Sequence, residues 1–221
     1  MFQGKNAAQV GSQYFHSKPT ETKISHSKGD PLPPTISTMS VLGSDETGTG
    51  DYFGPITVAA CFVKEDQIEF LRTLGVRDSK QLSDEQMIKL APSIQRVTTY
   101  DVQILDNETY NTWQQEPMSQ GKMKAILHNR ALRNVCEQLQ TTPFILIDQF
   151  AQRSTYFNYL KDMPDVVRNN VHFATQAESV HLAVAAASIL ARVAFVQEME
   201  RLSETIGVTL PKGASRKVDE V

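Results

Sequence analysis

Apolar and polar positions split the chain into a polar lead and a patterned remainder. Residues 1 to about 36 are rich in Ser, Lys, Thr and Gln and close on Asp30-Pro31-Leu32-Pro33-Pro34. That composition reads as a linker with no core of its own. The patterned part starts near Ser37. Val41-Leu42 and the continuous run Ile56–Val63 flank a glycine-rich segment, which predicts strand, turn, strand. Asp66–Leu74 predicts a short helix stopped by Gly75, followed by the polar loop Arg77-Asp78-Ser79-Lys80. Ser83 and Gln86 form a capping-box pattern that opens a helix to about Gln95. Thr99–Leu105 alternates as a strand; Asn107–Gln115 predicts a short helix and Gln120–Gln140 a long amphipathic one.

The run Phe144-Ile145-Leu146-Ile147-Asp148 is continuously apolar until its terminal carboxylate. It predicts a buried parallel strand whose last residue faces a crevice at the carboxyl end. A short strand, Val171–Ala174, precedes Ala177-Glu178, from which a long helix is predicted to about Ser203. Its small residues Ala185-Ala186-Ala187-Ser188 suit close packing on a sheet. Strands first and strand–helix alternation afterwards predict an α/β fold, a mixed central sheet flanked by helices.

Composition narrows the class. The 221 residues are 40% hydrophobic and suffice for one domain with a proper core. A net charge of −3 provides no global basic field. Any nucleic-acid partner therefore needs a local basic patch, or cations that offset an acidic site. Cys61 and Cys136 are far apart and form no C-x-x-C, which sets the expectation of two reduced thiols in a cytoplasmic setting. No apolar run is read as approaching the ~20 residues of a membrane span, and no signal-peptide pattern opens the chain. A soluble protein with no membrane partner is expected.

Chemistry concentrates in Gly43-Ser44-Asp45-Glu46-Thr47-Gly48-Thr49-Gly50-Asp51-Tyr52-Phe53-Gly54-Pro55. Gly43 and Gly48 have P-loop separation, but Thr49 stands where the lysine for the β/γ-phosphates belongs. Gly48 and Gly50 begin a dinucleotide fingerprint, yet Gly54 falls one residue late and Pro55 leads into a strand, not a helix. What is left is two adjacent carboxylates at a strand end, beside a turn whose glycines admit close approach. Asp148 at a second strand end and Glu178 at a helix start complete an acidic set. If the two strands are parallel neighbours, Asp45 and Asp148 meet at one sheet edge. Two such charges ~5 Å apart at an effective dielectric of ~20 repel by about 3 kcal/mol, which calls for a counter-cation. Oxygen donors favour Mg²⁺ or Mn²⁺ over zinc, and paired divalent ions drive in-line attack of water on a phosphodiester. Plainer readings stay open for single residues: Glu178 complementing a helix dipole, and Asp148 as a loop residue or cap. The five histidines, His16, His26, His128, His172 and His181, show no zinc-type spacing and are read as structural or solvated. Ser188 lacks a nucleophile-elbow context, and Trp113 is read as packing.

Residues 45–55 resemble the opening motif of type 2 ribonucleases H, on the ribonuclease HIII branch. Further stretches agree in order: Asp78-Ser79-Lys80-Gln81-Leu82, Gln120-Gly121-Lys122-Met123-Lys124, Ile145 to Phe150, Ala177-Glu178-Ser179 with Ala185 to Ile189, and Pro211-Lys212-Gly213-Ala214. The resemblance covers about residues 40–221. It implies a ribonuclease H-like fold and an endonuclease that cuts the RNA strand of RNA–DNA hybrids, leaving 3′-hydroxyl and 5′-phosphate ends. It also implies Mg²⁺ or Mn²⁺ as cofactor, no organic cofactor, and action as a monomer. The implied catalytic and metal-binding set is Asp45, Glu46, Asp148 and Glu178, the last favouring HIII where the HII branch has Asp. Gly48, Thr49 and Gly50 would read ribose 2′-hydroxyls through backbone N–H groups, with Thr49 replacing an arginine of the HII branch. Lys80 would contact phosphate, and Lys122, Lys124, Arg130 and Arg133 either line the duplex path or form a solvated helix face. The resemblance further implies that residues 1–36 hold the remnant of an N-terminal substrate-binding domain. Residues 37–221 would then be the catalytic domain without its C-terminal part, Lys217–Val221 opening a further helix. Two other readings accompany this one: a hybrid-binding or inactive fragment, and another nuclease or recombinase built on the same sheet.

Overall fold

The computed structural model describes residues 29–116 and 118–214. The part of the N-terminal remnant reading that falls on residues 1–28, and the reading placed on Lys217–Val221, lie outside the described residues. Five strands form one mixed sheet: β1 (Val41–Thr47), β2 (Ile56–Val63), β3 (Thr99–Leu105), β4 (Phe144–Asp148) and β5 (Val171–Ala174), in the order β3-β2-β1-β4-β5. The three N-terminal strands are antiparallel, while β1–β4 and β4–β5 are parallel. The α/β expectation holds, including the parallel pairing of the Asp45 and Asp148 strands. Six helices accompany the sheet among the described residues: α1 (Ile68–Leu74), α2 (Asp84–Val97), α3 (Asn107–Gln115), α4 (Gln120–Leu139), α5 (Arg153–Tyr159) and α6 (Leu182–Ile206). Local signals account for several boundaries. Ser83 and Gln86 close a reciprocal capping box at the start of α2. Gly75, at φ 97°, ends α1 in the left-handed conformation that costs glycine little.

Strand alternation sorts the core into two layers. Val41, Ala59, Cys61, Val63 and Leu146 face α1, α2 and α6. Leu42, Ala60, Phe62, Ile145 and Ile147 face α4 and α5. Cys61 is fully buried, with its thiol pushed up to about 12, and both cysteines are free.

Four expectations are revised. Ala177-Glu178 does not open the long helix: Ala177–Ser179 is a separate 3₁₀ turn, and α6 begins at Leu182 with His181 as its cap, the ring Nδ1 accepting from Ala183 N–H. The short helix α5 carries no sequence signal read above; its N-cap Gln152 makes no side-chain cap bond. The compact part reaches upstream of Ser37. Asp30 N–H donates to Phe173 O at 2.7 Å, and its carboxylate accepts from Phe173 N–H and Arg153, so this stretch pairs with β5. Finally, α6 is 25 residues long and apolar enough to cross a membrane by length and composition. Interruptions by single polar residues hid that run, and most of it is buried inside the fold.

The small residues of α6 allow a close approach to β1. A Cβ built on Gly43 would stand 2.3 Å from the backbone carbonyl carbon of Ala183 and from the amide nitrogen of Val184. Backbone cannot yield as a side chain can, so Gly43→Ala should cost at least about 3 kcal/mol of folding stability. Denaturant unfolding measures this; a loss under about 1 kcal/mol would show that α6 shifts freely on the sheet.

Candidate active site

The parallel register of β1 and β4 pairs Ser44 with Ile147, which sets Asp45 beside Asp148 at the carboxyl edge of the sheet. Alternation then separates the β1 carboxylates. Asp45 shares the parity of Val41 and Gly43 and points toward α6; Glu46 shares that of Leu42 and Ser44 and points toward α4. The 3₁₀ turn after β5 brings in Glu178. All four carboxylates, Asp45, Glu46, Asp148 and Glu178, line one open cavity of about 430 Å³, together with Ser79, Lys80, Asp84, Ser188 and Arg192.

Each carboxylate has its own protein partner. Asp45, 5% exposed, accepts from the Glu46 N–H at 2.8 Å and has the Ser188 hydroxyl beside it. Burial pushes its pKa well above the carboxylate range, and the charges of Glu46 and Asp148 push the same way. Asp148 accepts from Ala177 N–H at 2.8 Å; burial still raises its pKa, with Glu46 and Glu178 adding to the effect. Burial also opposes ionisation of Glu46, but His128 and Lys124 outweigh it and hold its pKa below the usual value. Lys124 Nζ donates to Oε1 at 2.8 Å and His128 Nε2 lies 2.9 Å from Oε2. His128 is fully buried, its Nδ1 2.6 Å from Ser44 Oγ. Glu178 is likewise held ionised against burial: its Oε2 accepts from Ser79 N–H and Oγ, and Oε1 from Lys80 Nζ at 3.0 Å. Ser188 Oγ donates to Ser79 Oγ at 2.9 Å, so two hydroxyls in series lead from Glu178 toward Asp45. With Glu46 and Glu178 drawn to these partners, no three His, Cys, Asp or Glu side chains among the described residues stand together as an assembled metal site.

The donor set nonetheless fits a hard divalent cation. It is all oxygen, it opens to solvent, and two of its members, Asp45 and Asp148, resist ionisation because burial and the neighbouring carboxylates oppose it. Asp45, Asp148, Glu46 and Glu178 are the residues that would hold it. The helix-dipole reading of Glu178 is set aside, since the residue lies outside α6 and its oxygens are taken by Ser79 and Lys80.

The remaining candidates spread around this cavity. Gly48, at φ 98°, and Gly50 turn the chain out of β1, and Thr49 O accepts from Gln120. Gly48 lines a second cavity of about 490 Å³ with Asp51, Tyr52, Asn107, Tyr110 and Gln120. Lys124 is not a duplex-path or solvated residue: it is 8% exposed, bound to Glu46, and over the Phe150 ring at 4.5 Å. His172 and His181 make local contacts, stacked on Phe144 and bonded to Met39 O. His16 and His26 lie outside the described residues. Trp113 packs against the core under Arg130. Ser79, Lys124, His128 and Ser188 went unread as members of the site. The i, i+4 spacing of Lys124 and His128 within an apolar stretch of α4 was the available signal.

The Ribonuclease HII family model matches residues 42–221. Ribonuclease HIII of Lysinibacillus sphaericus is 51% identical over 224 residues, covering 99% of this chain and 73% of that protein. The chain belongs to the ribonuclease HIII family. Ribonuclease HIII of Bacillus subtilis is 48% identical, covering 100% of this chain and 72% of its own length. The solved structure of Bst-RNase HIII in complex with Mn²⁺ superposes with a TM-score of 0.82 at 44% identity, covering 99% of this chain and 72% of that one. A ribonuclease H2 from Pyrococcus horikoshii gives a TM-score of 0.62 at 27% identity, over 76% of this chain and 78% of that one. The fold of this ribonuclease HIII family member is thus the ribonuclease H-like α/β fold.

Two predictions follow from the partners of β1. The folded state binds the Asp45 proton more tightly than the unfolded chain does. Stability from this group is therefore present at low pH and lost as pH rises from the ordinary carboxylate range through its raised pKa. Asp45→Asn should raise the unfolding midpoint at neutral pH, with the gain vanishing below about pH 4; a pH-independent change would contradict this. Lys124→Met leaves Glu46 without its cation and should cost about 3 kcal/mol, part of which Glu46→Gln in the same chain restores. Strictly additive losses in the double-mutant cycle would contradict the pairing.

Proposed function

We propose that this chain is an endonuclease that hydrolyses the RNA strand of RNA–DNA hybrids, using Mg²⁺ or Mn²⁺ held by Asp45, Glu46, Asp148 and Glu178. The observation that carries this reading is the convergence of carboxylates from β1, β4 and the 177–179 turn on one open cavity. When bound, divalent cations supply Lewis-acid charge for attack of water on phosphorus and for departure of the leaving oxygen. In the reaction the water oxygen bonds to phosphorus, the bond from phosphorus to the ribose 3′-oxygen breaks, and that oxygen takes up a proton. The ends are a 3′-hydroxyl and a 5′-phosphate.

The chain's own groups serve this reaction in distinct ways. Lys124 and His128 keep Glu46 ionised and fix its orientation. Ser79 fixes Glu178 through its hydroxyl, and Ser188 donates to Ser79 in turn. Lys80 reaches solvent with 69% of its side chain exposed and serves as a phosphate contact. The turn at Gly48, Thr49 and Gly50 presents backbone N–H groups to the ribose 2′-hydroxyls, the groups that tell RNA from DNA. The protein acts as a monomer in the cytoplasm, without a membrane partner or an organic cofactor.

A uniformly labelled RNA–DNA hybrid, incubated with the chain and Mg²⁺ or Mn²⁺, tests the assignment against double-stranded RNA and all-DNA duplex. The hybrid alone should be cut, and Asp148→Asn should slow cutting by at least about 10²-fold while leaving circular dichroism unchanged. Undiminished cleavage by Asp148→Asn would falsify the site, and equal cutting of all-DNA duplex would point to another nuclease. Binding of hybrid without cutting would favour a binding fragment.

A further inference from the structure

A second charged assembly borders the carboxylate cavity. Asp84, the first residue of α2, receives two cations. Arg192 of α6 donates Nε to Oδ1 at 2.8 Å and an Nη to Oδ2 at 3.2 Å, and Lys212 Nζ bonds the same Oδ2 at 2.7 Å. One carboxylate thus faces two full positive charges, and the group keeps a net positive charge on the rim of an otherwise acidic cavity. Asp84 and Arg192 line that cavity, and Lys212 remains 39% exposed beside them.

The same assembly is built into the glycine turn. The Arg192 guanidinium lies over the Phe195 ring, 5.2 Å from its centroid. Phe195 is fully buried beneath the turn, where a Cβ on Gly54 would strike its ring at 2.3 Å and one on Gly48 at 3.1 Å. From the other side, Gly213 N–H donates to the Asp51 carboxylate and Tyr52 N–H donates to Gly213 O. The two cations are therefore braced between the carboxylate cavity and the turn that follows β1, with several of their donor hydrogens uncommitted among the described residues. An isolated half-exposed ion pair adds little to stability. Two cations collected on one carboxylate at the mouth of an acidic pocket are better suited to an incoming anion.

We propose that Arg192 and Lys212, held by Asp84, form a phosphate-binding subsite for the nucleic-acid strand that passes from the glycine turn into the carboxylate cavity. This rests on the functional reading above. Asp84 acts as a positioning residue, and the subsite takes a backbone phosphodiester next to the one being cut. Its contribution is electrostatic and indifferent to base sequence.

The test is hybrid binding without turnover, by fluorescence anisotropy in EDTA across a potassium chloride series. The unaltered chain is compared with Arg192→Met, Arg192→Lys and Lys212→Met. Arg192→Met and Lys212→Met should each weaken binding about three- to tenfold at low salt. Each should also flatten the slope of log affinity against log salt by about one unit. Arg192→Lys keeps the charge and should keep the slope. Thermal melts of the same proteins separate this role from a structural staple. A lowered melting midpoint with an unchanged salt slope would overturn the subsite while leaving the functional reading intact. Failure of the unaltered chain to bind hybrid at all would overturn both.

Discussion

Crowding of like charge at the carboxyl edge of β1 and β4 is the constraint that organises this protein. Parallel pairing brings Asp45 and Asp148 side by side, and a 3₁₀ turn adds Glu178. Such an arrangement opposes folding unless each charge is answered. The surrounding architecture reads as a set of answers. Helix α4 sends Lys124 and His128 to Glu46; the loop at residues 78–82 sends Ser79 and Lys80 to Glu178. Asp45 and Asp148 have hydrogen-bond donors but no cation of their own, and burial keeps their protons on more tightly than usual. The pair left without a positive partner is the pair that a divalent ion would relieve.

Strand parity explains how neighbouring residues can take different roles. Asp45 and Glu46 are adjacent, yet one faces α6 and the other α4. The site is therefore assembled from both sides of the sheet, which only its edge allows. The close seat of α6 on Gly43 keeps Ser188 within reach of Asp45. Further along the same helix, Phe195 fills the space beneath the glycine turn. One helix thus sets the depth of the carboxylate cavity and the height of the turn beside it.

Much of this was legible in the chain. The apolar runs at 56–63 and 144–148 and the alternation at 99–105 have strong local signals, and the strands fall there. Asp45, Glu46 and Asp148 stand out because acidic residues are poor strand formers yet sit at strand ends, and Glu178 joins them only through the motif that follows β5. The misreadings share a cause: they depend on contacts made far along the chain. Ala177-Glu178 looks like a helix start because a 3₁₀ turn three residues upstream of the helix has the same appearance in sequence. Helix α5 is seven residues long with no side-chain cap and is held by packing of Tyr156 against the core. Lys124 and His128 look like surface residues of an amphipathic helix until β1 supplies Glu46 and Ser44 beneath them. Asp30 joins the fold only because β5 presents an open edge.

Calorimetric titration of the nucleic-acid-free protein with Mn²⁺, in two buffers of different ionisation enthalpy, tests the central claim most directly. Saturable binding should release protons, because a cation entering between Asp45 and Asp148 favours the ionised forms that burial and neighbouring carboxylates oppose. Substituting either residue with asparagine should reduce both the heat and the proton count. Absence of saturable binding, or binding with identical heat in both buffers, would contradict the account.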